Sequence, residues 1–412
     1  MSSKIYDYVV IGAGMYGLRM AKIISKKHSL AKILVLDSLP LSQSINLSKN
    51  YYSVDTGVNC KVDSEMYESI TEGSMRLKEF LNQNFLFNET IGEIIATNEQ
   101  LDKLRLNKFL NENDQDKVKI DKISNIAARE MDKSININNE KLEDFSFYHI
   151  PNSYIVDFNQ IKTFLYEDVL KSENIEICFD SEVTKVQFRK EDSIVEINTK
   201  AHDKDKNNNR TDFKGKFLIN TSGVNGLDIA HMCNSFMTHL SYTYREYYFY
   251  LNGKPIPRKI ISSIPELFHS GVKLVPVSIN DEEKTIFGPK LKFVSLDKSF
   301  WKKLKLYYKF FKATLILHNL NHDSRNDQKY VSLWRCVNFF KVFYNGFTFP
   351  KDYQGIDYKF VEKNILFSHD LRRFEMDILI EKNEYSLHIM NYTMRGGLAS
   401  LLPITEKALE LI

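Results

Sequence analysis

The first forty residues hold three glycines at a spacing that strongly restricts how the chain can fold around them. An apolar run, YDYVVI, ends at Gly12, and Gly14 and Gly17 follow before an amphipathic stretch, LRMAKIISKKH. A second apolar run, KILVLD, closes at Asp37. The order of strand, tight turn, helix and strand predicts a βαβ unit, which requires a parallel sheet covered by helices. We therefore expect an α/β protein.

Each of these residues has its own physical task in such a unit. Gly12 permits the tight turn, Gly14 lets the backbone approach a pyrophosphate, and Gly17 lets the helix pack closely on the strand. Phosphates would lie at the helix N-terminus, where free N–H groups and the helix dipole favour an anion. Asp37 comes 20 residues after Gly17 and can accept hydrogen bonds from ribose hydroxyls, whereas its charge would repel a 2′-phosphate. The pattern predicts a dinucleotide site rather than a plain structural turn, and it does not separate FAD from NAD.

The overall composition argues against several other classes of protein. Lys and Arg number 56 against 53 Asp and Glu, a formal net charge of +3, so no strong positive field favours nucleic acid. The four cysteines, Cys60, Cys178, Cys233 and Cys336, lie far apart, which excludes a disulfide framework and a zinc site built from close cysteine pairs. No other spacing of side chains indicates a metal site.

The N-terminus and the hydropathy pattern bear on where the protein works. No run of about 18 apolar residues could cross a bilayer. Only MSSK precedes the first apolar stretch, so the chain lacks the basic region of a signal peptide. We expect an intracellular protein, cytoplasmic or mitochondrial.

The pattern of apolar runs predicts two domains. Strand-like runs rich in Tyr and Phe follow residue 240, among them YREYYFYL, GVKLVPVSI and KTIFGPKLKFV, and they indicate a mainly antiparallel sheet inserted into the nucleotide-binding part. The nucleotide-binding domain is expected over residues 1–85, 150–235 and 360–412, and the substrate domain over residues 86–149 and 236–359.

Short segments along nearly the whole chain resemble a known superfamily. FLINTSG (217–223) resembles the strand-to-glycine segment of flavoproteins of the D-amino-acid-oxidase type. Within that superfamily the chain is most similar to L-2-hydroxyglutarate dehydrogenases, also called oxidases. The segments that carry this resemblance occur in the family's order: YIVD, EVTKV, FLINTSGVNG, REYY, GVKLVP, FGPK and SLHIMN. The resemblance implies FAD as the cofactor and a Rossmann-type FAD-binding domain with an inserted substrate domain.

The resemblance also extends the set of residues expected to contact FAD. Ser44, Val183 and Gly223 match family positions at the cofactor. Gly396 and Gly397 follow the strand SLHIMN and precede the last helix. Such a helix N-terminus would suit the pyrimidine end of a flavin, although a plain turn is the alternative.

Oxidation of a 2-hydroxy acid by a flavin needs a cation for the carboxylate and a base for the hydroxyl proton. The resemblance places four cations near the site: Arg245, Lys273, Arg372 (or its neighbour Arg373) and Arg395. A buried Lys273 with a lowered pKa could act as the base. Snorkelling of Lys273 to the surface and a structural ion pair for Arg245 are the alternatives.

Two further features concern the same site. Tyr247 is expected to direct its hydroxyl towards the substrate, or else to be a core aromatic residue like Tyr248 beside it. Where the family carries histidines, this chain has none between His28 and His149, and Lys273 stands in the family's Gly-Val-His segment.

Three functions are therefore open. The chain is an oxidoreductase of a small 2-hydroxy acid, most like L-2-hydroxyglutarate, or a related flavoenzyme acting on an amino acid or glycerol phosphate. The third alternative is a flavin-binding protein without turnover.

Residues 301–317, WKKLKLYYKFFKATLIL, combine aromatic residues at helical spacing with five lysines in eleven residues. Such a basic amphipathic helix can lie at a lipid surface. Peripheral membrane contact would suit a quinone as electron acceptor, with oxygen as the alternative acceptor. A surface helix packed on the substrate domain is the other interpretation.

Overall fold

In the computed structural model the described residues form a mixed α/β protein with three sheets. The structure describes residues 4–44, 51–58, 60, 62, 65–98, 100–112, 116–135, 144–201, 210–237, 239–251, 256–263, 273–279, 282–293, 358–368, 374–375, 378–391 and 397–412. The predictions for Arg372, Arg395, Gly396 and the segment 301–317 concern residues outside these ranges.

The N-terminal half alternates short strands and helices. In chain order these are β1 (Ile5–Ile11), α1 (Met15–Lys27), β2 (Ile33–Leu36), α2 (Leu41–Ser44), β3 (Tyr51–Ser53), α3 (Glu65–Gln83), β4 (Asn88–Thr90), β5 (Glu93–Thr97), α4 (Gln100–Glu112), β6 (Asp121–Ile123), α5 (Asn125–Met131), β7 (Ser146–Ile150), β8 (Tyr154–Asp157), α6 (Phe158–Leu170) and β9 (Ile175–Cys178).

The C-terminal half is mostly strands. In chain order these elements are β10 (Glu182–Arg189), β11 (Ile194–Lys200), β12 (Arg210–Asn220), α7 (Gly226–Met232), β13 (His239–Leu251), β14 (Ile260–Ser262), β15 (Lys273–Ile279), β16 (Glu282–Phe293), β17 (Tyr358–Ser368), β18 (Phe374–Glu375), β19 (Ile378–Lys382), β20 (Ser386–Asn391) and α8 (Leu401–Glu410).

The first sheet contains the predicted βαβ unit. Its strand order is β10-β11-β12-β1-β2-β9, with β20 and β19 attached beside β12. Strands β12, β1, β2 and β9 run parallel. All four residues of β2 are fully buried, as expected for a parallel strand covered on both faces. Val10 and Val35 pack towards α1 and α6, whereas Val9 and Leu34 pack on the side of α7.

The second sheet has nine strands in the order β18-β17-β13-β16-β15-β14-β5-β7-β6. Its outer face packs against Ala128 of α5 and carries Phe249, Phe287, Leu274 and Ile261. Its inner face alternates with the outer one, as the period of a strand requires. The inner face carries Tyr248, Ile286, Val275, Val277 and Ile260, which pack against Tyr51 and Ile155 of the third sheet.

The third sheet, β3-β8-β4, connects the two larger ones. The Tyr51 hydroxyl donates to the backbone oxygen of Ser278 on β15, at 3.2 Å. Strand β8 runs directly into α6, where the Asp157 side chain accepts hydrogen bonds from the backbone of Asn159 and Gln160 and caps the helix. The inner face is thereby held next to the first sheet.

The architecture agrees with the predicted α/β class: a Rossmann-type unit and a largely antiparallel second sheet. Strands β5 to β7 and strands β13 to β18 share that second sheet, although β8 of the third sheet and β9 to β12 of the first sheet lie between them in sequence. The exact domain boundaries remain a prediction. No helix in the described ranges combines the length and apolar character needed to cross a membrane.

Candidate functional site

The glycine loop after β1 is shaped by two close backbone approaches. Gly12 has a φ of +101°, and a Cβ there would lie 2.6 Å from the backbone oxygen of Thr221. A Cβ on Gly17 would lie 1.8 Å from the backbone oxygen of Gly12. Neither position can hold a side chain, so both glycines are required by the protein's own packing.

Gly14 differs from these two glycines because the protein leaves space around it. It is the N-cap of α1, and its backbone is extended with a φ of −73°. Among the described residues, no heavy atom lies within 4 Å of a Cβ built there, and the same holds at Gly223, whose φ is +59°. No side chain from these residues caps the first turn of α1. The helix N-terminus therefore faces an open cradle that suits an anion such as a pyrophosphate.

Asp37 connects the end of β2 to this loop. Its Oδ2 accepts a 2.7 Å hydrogen bond from the backbone N–H of Ala13, and its Oδ1 accepts a 2.8 Å bond from that of Leu39. Because a carboxylate oxygen can accept more than one hydrogen bond, the predicted role towards ribose hydroxyls remains open to it. The structure adds a second task, since Asp37 also positions the glycine loop.

Thr221 holds the same loop from the neighbouring strand. Its hydroxyl contacts the backbone oxygens of Ile11 and Gly12 at 2.9 and 3.1 Å. The resemblance in FLINTSG concerned the segment as a whole and gave Thr221 no role of its own. A hydroxyl residue directly after an apolar strand was the available signal.

A buried network supports the turn around Gly223 from below. His388 on β20 is fully buried, with its Nδ1 3.0 Å from Asn220 Nδ2 and its Nε2 2.8 Å from Ser386 Oγ. Asn220 in turn donates to the backbone oxygen of Gly226 and accepts from Ser222. Burial lowers the pKa of His388 to about 4. Sequence reasoning missed this histidine, because only the tertiary structure places it beside Asn220.

The other residues expected at the cofactor lie around the same edge of the first sheet. Ser44 ends α2 and is 3% exposed. Val183 lies at an irregularity in the pairing of β10 with β11. The Tyr16 hydroxyl donates to the backbone oxygen of Gly397 at 2.6 Å, which places Gly397 beside the first turn of α1. Their contacts with a cofactor remain predictions.

Lys273 forms a buried ion pair on the inner face of the second sheet. Its Nζ lies 3.2 Å from Glu93 Oε1, and the two side chains are 12% and 6% exposed. Ser153 donates to the other oxygen of Glu93 at 3.1 Å. Lys273 therefore does not snorkel freely to the surface, and its charge has a partner that sequence reasoning missed. A single acid in the otherwise apolar strand EIIAT was the signal for Glu93.

Of the two adjacent tyrosines on β13, the structure favours Tyr248 over Tyr247 for a role at the inner face. The Tyr248 hydroxyl donates to Glu246 Oε2 at 2.8 Å, and Glu246 is fully buried. The Tyr248 ring also packs on that of Tyr52, with the two ring centroids 5.9 Å apart. Tyr247 packs with the outer-face cluster, and its predicted role towards a substrate stays a prediction.

One glycine on β16 lies on the inner face beside Lys273 and Tyr248. Gly288 on β16 pairs with Lys273, and a Cβ there would lie 3.0 Å from Tyr248 Cδ1. Tyr248 and Lys273 thus flank a position without a side chain. Arg245 pairs through its backbone with Lys292 and Glu362; its predicted role towards a carboxylate stays a prediction.

Comparisons with known proteins are informative at the level of structure only. No family model and no curated protein matches the sequence. The L-alpha-glycerophosphate oxidase from Mycoplasma pneumoniae, with FAD bound, superposes with a TM-score of 0.70 at 15% identity, covering 99% of this chain and 94% of that one. Glycine oxidase from Geobacillus kaustophilus gives 0.65 at 11% identity, covering 98% and 93%. L-proline dehydrogenase from P. horikoshii gives 0.65 at 12% identity, covering 99% and 93%.

These superpositions extend over both large sheets and define the class of fold. The chain has the fold of FAD-dependent oxidases and dehydrogenases, a Rossmann-type domain with an attached substrate domain. More particularly, its fold is the one that the resemblance to flavoproteins of the D-amino-acid-oxidase type implied. Identities of 15% or less in these three comparisons carry no conclusion about its substrate.

Proposed function

We propose that this chain binds FAD and acts as an oxidoreductase of a small molecule. The observation that carries this proposal is the open cradle beside Gly14 and Gly223. Glycines that the protein's own packing requires, such as Gly12 and Gly17, would collide with other atoms if substituted. Gly14 and Gly223 have free space instead, which is the arrangement expected where a backbone must approach a ligand.

The residues around the cradle fit a dinucleotide with two phosphates. The free amides of the first turn of α1 would bind the pyrophosphate, and Asp37 would accept bonds from ribose hydroxyls. Ser44 and Val183, which the resemblance also assigns to the cofactor, would contact it as well, and Gly397 would approach the pyrimidine end of the flavin. When bound, FAD would supply the hydride acceptor that the protein itself lacks.

The first candidate substrate is a small 2-hydroxy acid, most like L-2-hydroxyglutarate, which would be oxidised to the 2-oxo acid. Lys273 on the inner face is the cation that supports this choice. Its Nζ lies 3.2 Å from Glu93 Oε1, so Lys273 would bind a substrate carboxylate as a cation that it shares with Glu93. Oxygen and a quinone are both suitable electron acceptors.

A specific observation favours a second candidate, an amine or amino acid. Glu246 is fully buried on the inner-face side and is hydrogen bonded to Tyr248. A carboxylate in this place would attract an amino group and repel a dianionic substrate. Solved structures with this fold include enzymes named for glycine, L-proline and glycerophosphate. The fold therefore accommodates the oxidation of a carbon bonded to nitrogen as well as of a carbon bonded to oxygen.

The test is an absorption spectrum of the purified protein followed by anaerobic additions of L-2-hydroxyglutarate, glycerol 3-phosphate, glycine and L-proline. Flavin bands are expected, and bleaching by one compound names the substrate class. A colourless protein that also ignores added FAD would refute the proposal. Flavin that no compound bleaches would instead support a flavin-binding protein without turnover.

A further inference from the structure

Lys162 lies on the face of α6 that points towards the carboxyl ends of β2 and β9. Phe158 and Tyr166, one helical turn before and after it, share that face. The ring centroids of Phe158 and Tyr52 are 5.5 Å apart, and those of Tyr166 and Phe179 are 5.9 Å apart. The side chain of Lys162 therefore extends to the edge of the first sheet where Asp37 and Ser44 are found.

The described residues offer the ammonium group of Lys162 few hydrogen-bond acceptors and no close anion. Its Nζ donates to Ser44 Oγ at 3.5 Å, the outer limit of a hydrogen bond. Among the residues that the structure describes, Asp37 is the charged group that acts on it, but its carboxylate faces the backbone amides of Ala13 and Leu39 and forms no hydrogen bond with Lys162 within that part of the chain. Burial lowers the pKa of Lys162, because removing an ammonium group from water is costly without a close anion.

Lys22, which also contacts α6, is by contrast a lysine whose ammonium group has an acceptor for each of its N–H donors. Its Nζ lies 3.1 Å from Asp168 Oδ1, 2.7 Å from the backbone oxygen of Asp168 and 3.1 Å from Ser172 Oγ. Three acceptors satisfy the three N–H donors of an ammonium. Lys162 has one weak acceptor within the described residues, so its position is suited to an anion that does not belong to the protein.

We propose that Lys162 binds a phosphate group of the dinucleotide, between Asp37 and Ser44. Asp37 bonds directly to Ala13 in the glycine loop, so a cation beside Asp37 borders the cradle at the N-terminus of α1. The inference rests on the proposed FAD site and adds to it a cation from α6. This cation would supplement the helix dipole with a full charge, and charge-assisted bonds to phosphate are among the strongest available.

The test compares binding of FAD, ADP and adenosine to apoprotein by calorimetry. Lys162→Met keeps the apolar stem and removes the charge. We expect FAD and ADP to bind about tenfold to a hundredfold more weakly, the range for a lost charge-assisted bond. Adenosine, which has no phosphate, should bind within about twofold of the parent. Lys22→Met is the matched control, expected to lower the melting temperature and leave all three affinities unchanged.

Several outcomes would overturn this role. Unchanged ADP affinity in Lys162→Met, or an equal loss of affinity for ADP and adenosine, would show that Lys162 does not bind the phosphate and has a structural role only. If Lys162→Met does not fold, Lys162→Gln is measured against the same expectations. A parent that binds ADP but not FAD would refute the proposed function while still testing Lys162, and a parent that binds neither would overturn both.

Discussion

The Oδ2 atom of Asp37 accepts a 2.7 Å hydrogen bond from the backbone N–H of Ala13. The acid that closes the second strand thus also holds the loop that follows the first strand. Thr221 holds the opposite side of the loop. Contacts from both neighbouring strands thus hold the loop, and a loop held in this way needs less ordering when a ligand binds.

Asp37→Ala is expected to destabilise the protein even without a cofactor. It removes the acceptors of the Ala13 and Leu39 amides, and the loss should be about 1–3 kcal/mol. Urea unfolding of the apoprotein measures it. If Asp37→Ala instead weakened FAD binding and left the free energy of unfolding unchanged, Asp37 would serve the ribose only and would not hold the loop.

Gly14→Val should abolish FAD binding while the fold is retained. The side chain would project into space that no atom of the described part of the chain occupies within 4 Å, the same space that a pyrophosphate would need. The measurement is flavin content together with the thermal midpoint. Gly17→Val is the matched variant, and it should unfold because its Cβ would lie 1.8 Å from Gly12 O. Equal flavin content in Gly14→Val and the parent would show that the loop is not the nucleotide site.

His388 should make the protein sensitive to acid. Burial lowers its pKa to about 4 from an ordinary value of 6.5, so the unfolded chain binds a proton more readily than the folded one. The stability that this group contributes is fully present above about pH 6.5 and is lost as the pH falls towards 4. The loss should reach about 3 kcal/mol.

The His388→Gln variant isolates this contribution. It lacks the titrating group, so its unfolding free energy should fall less steeply than the parent's between pH 7 and pH 4. Parallel pH profiles for the two proteins would mean that His388 does not supply the acid sensitivity.

Replacing one member of the Lys273 and Glu93 ion pair should be more damaging than replacing both. Lys273→Met leaves a buried carboxylate without its cation, at a cost of about 3–5 kcal/mol. The double variant with Glu93→Gln should recover much of this loss. Unfolding of the two single variants and the double variant provides the double-mutant cycle, and additive losses would contradict a coupled pair.

Tyr248→Phe should reduce both stability and turnover, whereas Tyr247→Phe should change little. The first change removes the donor to the buried Glu246, at a cost of about 1–3 kcal/mol. The second removes a hydroxyl from the outer face. Unfolding and kcat/KM on the substrate found by bleaching measure both effects. A larger effect of Tyr247→Phe would restore the original prediction that Tyr247 serves the site.

The sequence by itself determined the local architecture at the N-terminus. Gly12, Gly17 and Asp37 lie within one βαβ unit, where a short stretch of chain specifies turn, helix packing and strand end together. Their spacing therefore predicted the parallel sheet and the dinucleotide-type loop. The segment FLINTSG likewise indicated the class of fold, because it and the other matched segments follow one another in the same order as in the family.

Only the tertiary structure decided which distant residues meet. Glu93 and Lys273 pair across the second sheet, and His388 reaches Asn220 only because β20 lies beside β12. Nothing in the local sequence encodes such pairings. The choice between Tyr247 and Tyr248 depends on the strand register, which a pairing irregularity after Tyr247 shifts. A shift of one residue exchanges the two faces of a strand, so this part of the site required the folded chain.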